Sequence, residues 1–438
     1  MSNITIDFSK KVGKIKPMHA VNNGPTRPSK LFPENSNFDD YKAANIPYAR
    51  NHDASFCSNY GGERTVDINA IFWDFEKDPY DPASYDFACT DEYIERTLSA
   101  GTKVYYRLGN KIDHRIKKYD SRVPSDFKKW AVICEHIIMH YNEGWADGFH
   151  HNIEHWEIWN EPDLGDQCWL GTLEEFMELF KTAAVHLKTR FPHLKIGGPA
   201  MTGEGVFEWL DDFLAYMKEN NVPIDFYSWH AYRSDPHGFD PFIMRARELL
   251  DKHGYTETEH YMNEWNYISD WGKGFKASIN TIAGMKGAAF TAATMAFCQN
   301  RPIDMLMYYD ARPGVAFNGL FSSYKSDNKL KGYYPFPMFD KLYKIGTQIE
   351  AETDDYDIYP VAASDGEKTA VMITYFSDKN DTEAKSICVD LNNCNMTELD
   401  MLLLDGEHDA EKIKTVDVSD GKLRLSIAPN TVIMLESK

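Results

Sequence analysis

Through residue 345 the chain alternates short apolar runs rich in β-branched and aromatic residues with longer stretches of helical periodicity. Eight runs read as strands: 16–22 (KPMHAVN), 47–52 (PYARNH), 103–109 (KVYYRLG), 154–160 (EHWEIWN), 195–199 (KIGGP), 225–230 (DFYSWH), 260–265 (HYMNEW) and 304–310 (DMLMYYD). Helical patterns fall between them, over Phe127–Tyr141, Leu173–Arg190, Phe207–Asn220, Phe242–His253 and Ala277–Gln299. Thr172 and Glu175 form a capping box ahead of the second of these, and Gly101 stops the helix that reads DEYIERTLSA. Strands alternating with helices imply parallel βαβ units, and eight of them predict a closed (β/α)8 barrel. An open nucleotide-binding sheet would need GxGxxG after the first strand, where AVNNGPTRP stands. The segment GKGFKAS (272–278) lacks the Gly-Lys-Ser/Thr ending of a phosphate loop.

After Gly346 the texture changes to short alternating runs separated by Asp, Asn, Gly and Ser turns, from YDIYPVAAS (356–364) to TVIMLES (431–437). That pattern predicts a β-sandwich. The opening NITIDFS alternates in the same way, so residues 1–15 are expected to join the sandwich (347–438) across the barrel (16–346).

Composition removes several function classes. With 438 residues there is room for a barrel core and a second domain. No run of about 18 apolar residues occurs, so no membrane-spanning helix is expected. A net charge of −20 disfavours nucleic acid and anionic membranes as partners. The seven cysteines show no CxxC or Cys/His ligand spacing, so neither a disulfide framework nor a zinc site is expected. The start MSNITIDFSKKVGKI has no apolar core of a signal peptide, which, with free thiols, points to the cytoplasm. Composition leaves self-association open. Aromatics are abundant, with 10 Trp, 25 Tyr and 25 Phe, enough to fill a core and still line a sugar site.

In a (β/α)8 enzyme the site lies at the C-terminal strand ends. Those ends carry Asn22 and Asn23; Arg50, His52 and Asp53; Arg107 and Asn110; Asn160 and Glu161; His230 and Tyr232; Asn263 and Glu264; then Tyr308, Tyr309, Asp310 and Arg312. Two glutamates each follow an asparagine, in WNEP on the fourth strand and MNEWN on the seventh. Singly, either reads as a helix-start cap or a surface charge. Together, on strands that face each other across a small barrel, they form the carboxyl pair that glycoside hydrolysis requires.

The succession WNEPD then NEWN resembles the large clan of retaining (β/α)8 glycoside hydrolases. Within it, HAVNNGP, YARNHD, EIWNEPDL and SWHAYR resemble the strand ends of glycoside hydrolase family 39, whose members include β-xylosidases and α-L-iduronidases. The resemblance implies a retaining, β-xylosidase-like hydrolase of plant-type oligosaccharides without metal or organic cofactor. It makes Glu161 the acid/base, Glu264 the nucleophile and Asn160 the holder of the sugar 2-hydroxyl. Arg50 and the Tyr232 hydroxyl are then expected to keep Glu264 ionised. His230 either orients the nucleophile or a substrate hydroxyl, or is a core histidine satisfied by backbone. Asn22, His52, Tyr309 and Asp310 complete the expected sugar contacts, with Trp169 as a stacking platform.

The eighth strand departs from the family pattern. MYYDARPG stands where a tryptophan floor is usual, which opens the pocket to arabinosides, galactosides or uronides. Arg107 and Arg312 are candidates for a uronate carboxylate or for rim ion pairs with Asp. The loops Asp53–Tyr85 and Asn110–Asp126 favour a closed pocket and exo action over an endo-acting groove, with Lys77–Tyr85 either an aglycone wall or a cover for the barrel. His150, His151 and His155 precede the fourth strand and read as a surface cluster at the barrel bottom. A non-catalytic carbohydrate-binding protein of the same fold is the rival reading.

Overall fold

The computed structural model describes residues 2–25, 36–53, 65–313, 316–322 and 327–438. Strand β1 is Ser2–Lys14. Eight parallel strands then close a barrel in chain order: β2 (Ala20–Asn22), β3 (Tyr48–Asn51), β4 (Lys103–Leu108), β5 (His155–Ile158), β6 (Lys195–Met201), β7 (Phe226–Arg233), β8 (Glu259–Tyr267) and β9 (Met305–Tyr308). Every predicted barrel strand is present, and helices 127–142, 173–190 and 240–252 match the expected stretches. Two predicted helices are each broken in two. Trp209 separates 203–208 from 210–219, and Gly284, extended at the start of 285–299, separates that helix from 275–282. The capping box at Thr172 and Glu175 forms on both sides.

Period-2 alternation stacks the barrel interior in layers. The lowest is apolar and aromatic: Ala20, Tyr105, Phe226, Tyr261, Met305 and Met307 pack together, and Tyr48 joins them. Two residues further along their strands come Asn22, Arg50, Ser228 and Asn263, a polar layer on that floor. Above it, at the C-terminal rim, lie Glu161, His230 and Glu264.

The second domain is a nine-stranded mixed sheet built from β10 (Thr347–Thr353), β11 (Ile358–Ser364), β12 (Thr369–Tyr375), β13 (Lys385–Asn392), β14 (Glu398–Leu404), β15 (Asp409–Asp417), β16 (Lys422–Ile427), β17 (Thr431–Glu436) and β1. The N-terminal strand pairs antiparallel with β10 and parallel with β13, as its alternation implied. Residues from both edges of the sheet and its middle, such as Val416, Ile427, Ile4 and Ile373, share one apolar cluster. The sheet therefore folds round a single core as a sandwich does. Helix 285–299 is buried all round, because the barrel takes one side and β11, β12 and β17 the other.

Among the described residues no helix is long and apolar enough to cross a membrane. The six described cysteines are free thiols; Cys57 lies outside the described residues.

Candidate active site

Two local distortions turn pairs of neighbouring residues into the barrel. Past β5, Trp159 and Glu161 both take left-handed backbone conformations, with φ of 76° and 47°. Asn160 and Glu161 consequently both reach inward, Asn160 Oδ1 to Arg50 Nη2 at 2.6 Å and Glu161 Oε1 to His230 Nδ1 at 2.7 Å. In β8 the register with β7 slips between Trp229↔Met262 and His230↔Glu264, a bulge at Asn263. Asn263 then donates to Glu157 inside the barrel while Glu264, the very next residue, also points in. Bulges beside active sites serve this re-aiming.

Glu264 and Glu161 converge over His230. His230 Nδ1 is 3.6 Å from Glu264 Oε2, and the three side chains each offer an atom within 4.8 Å of the others. Arg50 Nη1 approaches Glu264 Oε2 at 3.4 Å, and the Tyr232 hydroxyl donates to Glu264 Oε1. Burial pushes the Glu161 carboxyl up to about 8, with the charge of Asp163 adding to it and Arg50 opposing. Burial also raises Glu264, to about 7, against the pull of Arg50 and the Tyr232 hydroxyl. Of the two, Glu161 holds the proton more firmly. Burial lowers His230 to about 4, so its ring is neutral near pH 7. The Tyr232 hydroxyl is held well above its ordinary range by burial and by the Glu264 charge, which keeps it a donor.

Glu157 organises the layer beneath, and sequence reasoning passed over it. It is fully buried, accepts Arg50 Nε at 2.6 Å, and takes hydrogen bonds from Tyr105 (3.0 Å), Ser228 (2.6 Å) and Asn263 (2.5 Å). Its signal was a charged residue flanked by Trp156 and Ile158 inside a barrel strand. Asp163 was also missed; it accepts from the Thr202 backbone at 3.0 Å and adds negative charge near Glu161.

The rim encloses a cavity of about 510 Å³, lined by Glu161, Glu264, His230, Tyr232, His52, Asp53 and Tyr309, with Leu164, Ile112, His114, Glu204, Arg233, Trp271 and Phe317 around them. Several expected contacts fall elsewhere. Trp169 is no platform: its ring is buried edge-on against Trp159, 5.1 Å between centroids, and its indole N–H donates to Thr172 O. Asn22 is fully buried, donating to the Asn263 and Met307 carbonyls and accepting from Arg50, so it braces the site from below. Asp310 is likewise buried beside Arg312, 2.8 Å away, rather than facing the cavity. Arg50 acts on Glu264 and Asn160 from behind the cavity wall. Arg107 pairs with Asp67 at 2.6 Å and supports His52 Nδ1 at 3.3 Å. Both candidate uronate arginines are thus neutralised within the protein. His230 joins the carboxyls, against the reading of a backbone-satisfied core histidine.

The Lys77–Tyr85 segment covers the barrel flank. Tyr80 and Tyr85 pack near His136 of helix 127–142, and neither lines the cavity. Of the early histidines, His151 meets Glu95, His150 lies near the Asn142 carbonyl, and His155 stacks on Tyr105 in the barrel floor. Among the described residues the one cluster with metal-ligand composition is Glu161, His230 and Glu264. Its chemistry suits a shared proton better than a cation. Glu161 and His230 are already joined by their own hydrogen bond at 2.7 Å, and the Arg50 guanidinium adjoins Glu264.

Known proteins resemble this chain in sequence and fold. Residues 67–261 match the model for glycosyl hydrolases family 39. A β-xylosidase of Geobacillus stearothermophilus is 33% identical over 149 residues, which are 33% of this chain and 27% of that enzyme. One from Caldicellulosiruptor saccharolyticus is 30% identical over 145 residues, again 33% and 27% of the two chains. The match therefore spans little more than a quarter of those relatives. Among solved structures, a glucosidase from Croceicoccus marinus superposes with a TM-score of 0.80 at 21% identity, over 100% of this chain and 98% of that one. A monomeric β-xylosidase from Caulobacter crescentus gives 0.72 at 16%, over 100% and 99%. The barrel with its β-rich second domain is thus a known arrangement, and the family 39 match takes in EIWNEPDL and SWHAYR but ends before Glu264.

Proposed function

We propose that the protein is a retaining exo-glycosidase that releases a terminal neutral sugar, β-xylosides being the first candidates. The observation that carries this reading is that an oxygen of Glu161 and an oxygen of Glu264 lie within 4.8 Å of each other beside His230. Retention needs carboxyls about 5–5.5 Å apart, whereas inversion needs about 6.5–9.5 Å to admit a water between them. In the first step Glu161 gives its proton to the glycosidic oxygen as a Glu264 oxygen attacks the anomeric carbon. The C–O bond to the leaving group breaks, the aglycone departs as an alcohol, and a glycosyl ester forms on Glu264. In the second, Glu161 takes a proton from water, whose oxygen displaces Glu264 from the anomeric carbon. Asn160, its Oδ1 engaged by Arg50, has its amide nitrogen to offer the sugar 2-hydroxyl.

Charge supports a neutral sugar. Asp53, Glu161, Glu204 and Glu264 all line the cavity, while Arg107 and Arg312 are spent on Asp67 and Asp310. Among the described residues Arg50, Arg107 and Arg312 are each engaged by acids, so a uronide carboxylate beside Glu264 would meet mainly acidic neighbours, with Arg233 the remaining arginine of the lining. The likeness to β-xylosidases favours xylose; Tyr309 at the eighth strand end keeps an arabinoside or galactoside as the second reading.

The test is an aryl-glycoside panel with wild type and Glu161→Ala. Azide should restore the variant on substrates with activated leaving groups, and a 2-fluoro sugar should label Glu264. Unchanged activity of Glu161→Ala would end the assignment.

A further inference from the structure

We infer that Trp271, in the loop after β8, is the stacking platform for the sugar seated over Glu264 and a determinant of glycone specificity. The inference rests on the glycosidase reading above. Of ten tryptophans, two are more than half exposed, Trp73 at 64% and Trp271 at 58%. Only Trp271 lines the cavity that holds both glutamates. A large apolar ring left open to water inside a polar pocket has surface to bury against a ligand, and the C–H face of a sugar is such a ligand.

Its position points to the glycone side. The Trp271 ring meets the Tyr232 ring edge-on, 5.0 Å between centroids, and the hydroxyl of that same tyrosine donates to Glu264. Phe317 lies 6.1 Å from Trp271, 5.6 Å from Tyr232 and 5.5 Å from Tyr309, so one aromatic wall runs from Trp271 towards the eighth strand end. The acid/base side carries a different set: Leu164, just past Asp163 in the chain, and Thr202, which donates to Asp163.

The ring is also held in place. Asp270 accepts the backbone N–H groups of Gly272 and Gly274, each at 2.7 Å, which pins the loop. Phe275, the first residue of helix 275–282, stacks on Trp271 at 5.8 Å and 15°. A platform fixed before binding loses little freedom when the sugar arrives. Trp271 thus supplies, from the loop after β8, a flat indole surface where the end of β9 carries Tyr309 instead of a tryptophan.

Wild type, Trp271→Ala and Trp271→Phe would be compared on whichever 4-nitrophenyl glycoside the wild type cleaves, with the matching free monosaccharide as competitive inhibitor. Trp271→Ala should raise both KM and the inhibition constant about tenfold, and Trp271→Phe should recover most of the loss. Both constants staying within about twofold of wild type in Trp271→Ala would overturn the inference and leave the glycosidase reading intact. A fall in kcat at unchanged KM would also overturn it, assigning Trp271 to the support of Tyr232. Wild type inactive on the whole aryl-glycoside panel would remove the reading on which the inference rests.

Discussion

His230 Nδ1 stands 2.7 Å from Glu161 Oε1 and 3.6 Å from Glu264 Oε2, so one neutral imidazole joins both carboxyls of the site. The three groups titrate as a unit, and the pair's apparent values belong to the pair. What distinguishes the two glutamates is their surroundings: Glu264 has Arg50 and the Tyr232 hydroxyl, while Glu161 has the negative Asp163 nearby.

The pH profile follows from that asymmetry. Activity needs Glu264 ionised and Glu161 protonated, with burial holding them near about 7 and about 8. The kcat/KM profile should be a narrow bell with its optimum between those values. Glu161→Gln, assayed on an activated aryl glycoside, should lose the alkaline limb. Its acid limb should stay near the wild-type position, because Glu161 is already neutral where Glu264 titrates. A profile flat from pH 5 to about 9 would refute the assignment.

Stability should shift with pH in the opposite sense to a surface carboxylate. Both glutamates have folded values raised above those of the unfolded chain. Between the unfolded value and the folded one the unfolded state has released protons that the native state keeps, so stability falls as pH rises through that window. Glu161→Gln should therefore raise Tm relative to wild type at pH 9 by about 2 °C or more and change it little at pH 4, measured by calorimetry.

Removing the Tyr232 hydroxyl tests the support of Glu264. Tyr232→Phe takes away a hydrogen bond to an ionised group, a contribution of about 1.5–3 kcal/mol. The expected loss in kcat is about 10–100-fold, with the acid limb displaced to higher pH, since that hydrogen bond lowers Glu264. Steady-state kinetics across pH would show both changes or neither.

Glu157 should be revealed by unfolding as well as by kinetics. Glu157→Ala leaves the fully buried Arg50 without its 2.6 Å partner, and breaking a buried pair costs about 3–5 kcal/mol. Urea denaturation measures the loss. A loss below about 1 kcal/mol would show that Arg50 is held adequately by Glu264, Asn22 and Asn160.

Trp169 separates core from platform. Its ring packs on Trp159 and Phe176, so Trp169→Ala should cost about 3–5 kcal/mol of stability. KM for an aryl glycoside, measured below the lowered Tm, should stay near the wild-type value.

The eight barrel strands, the long helices and the sandwich strands were legible because each is written in a local period: two for strands, 3.6 for helices. The Asn-Glu pairs at two strand ends were legible for the same reason, since chain order in a parallel barrel says which ends face each other. Trp169 was misread, because a tryptophan two turns past a catalytic strand looks alike in sequence whether it faces sugar or core. Glu157 escaped notice because the alternation that marks it as inward does not say what lies opposite. Only closure of the barrel brings Arg50, Ser228, Tyr105 and Asn263 round its carboxylate.

By itself, then, the amino-acid order determined the elements, their succession and the two carboxyls. Tertiary structure decided which side chains share a cavity: the bulge at Asn263 and the left-handed turn through Trp159 and Glu161 aim both glutamates inward, and packing buried Trp169 while leaving Trp271 open. The physical reason is range. Hydrophobic period is a property of neighbours in sequence, whereas burial, charge pairing and pKa depend on contacts that exist only after the chain has closed on itself.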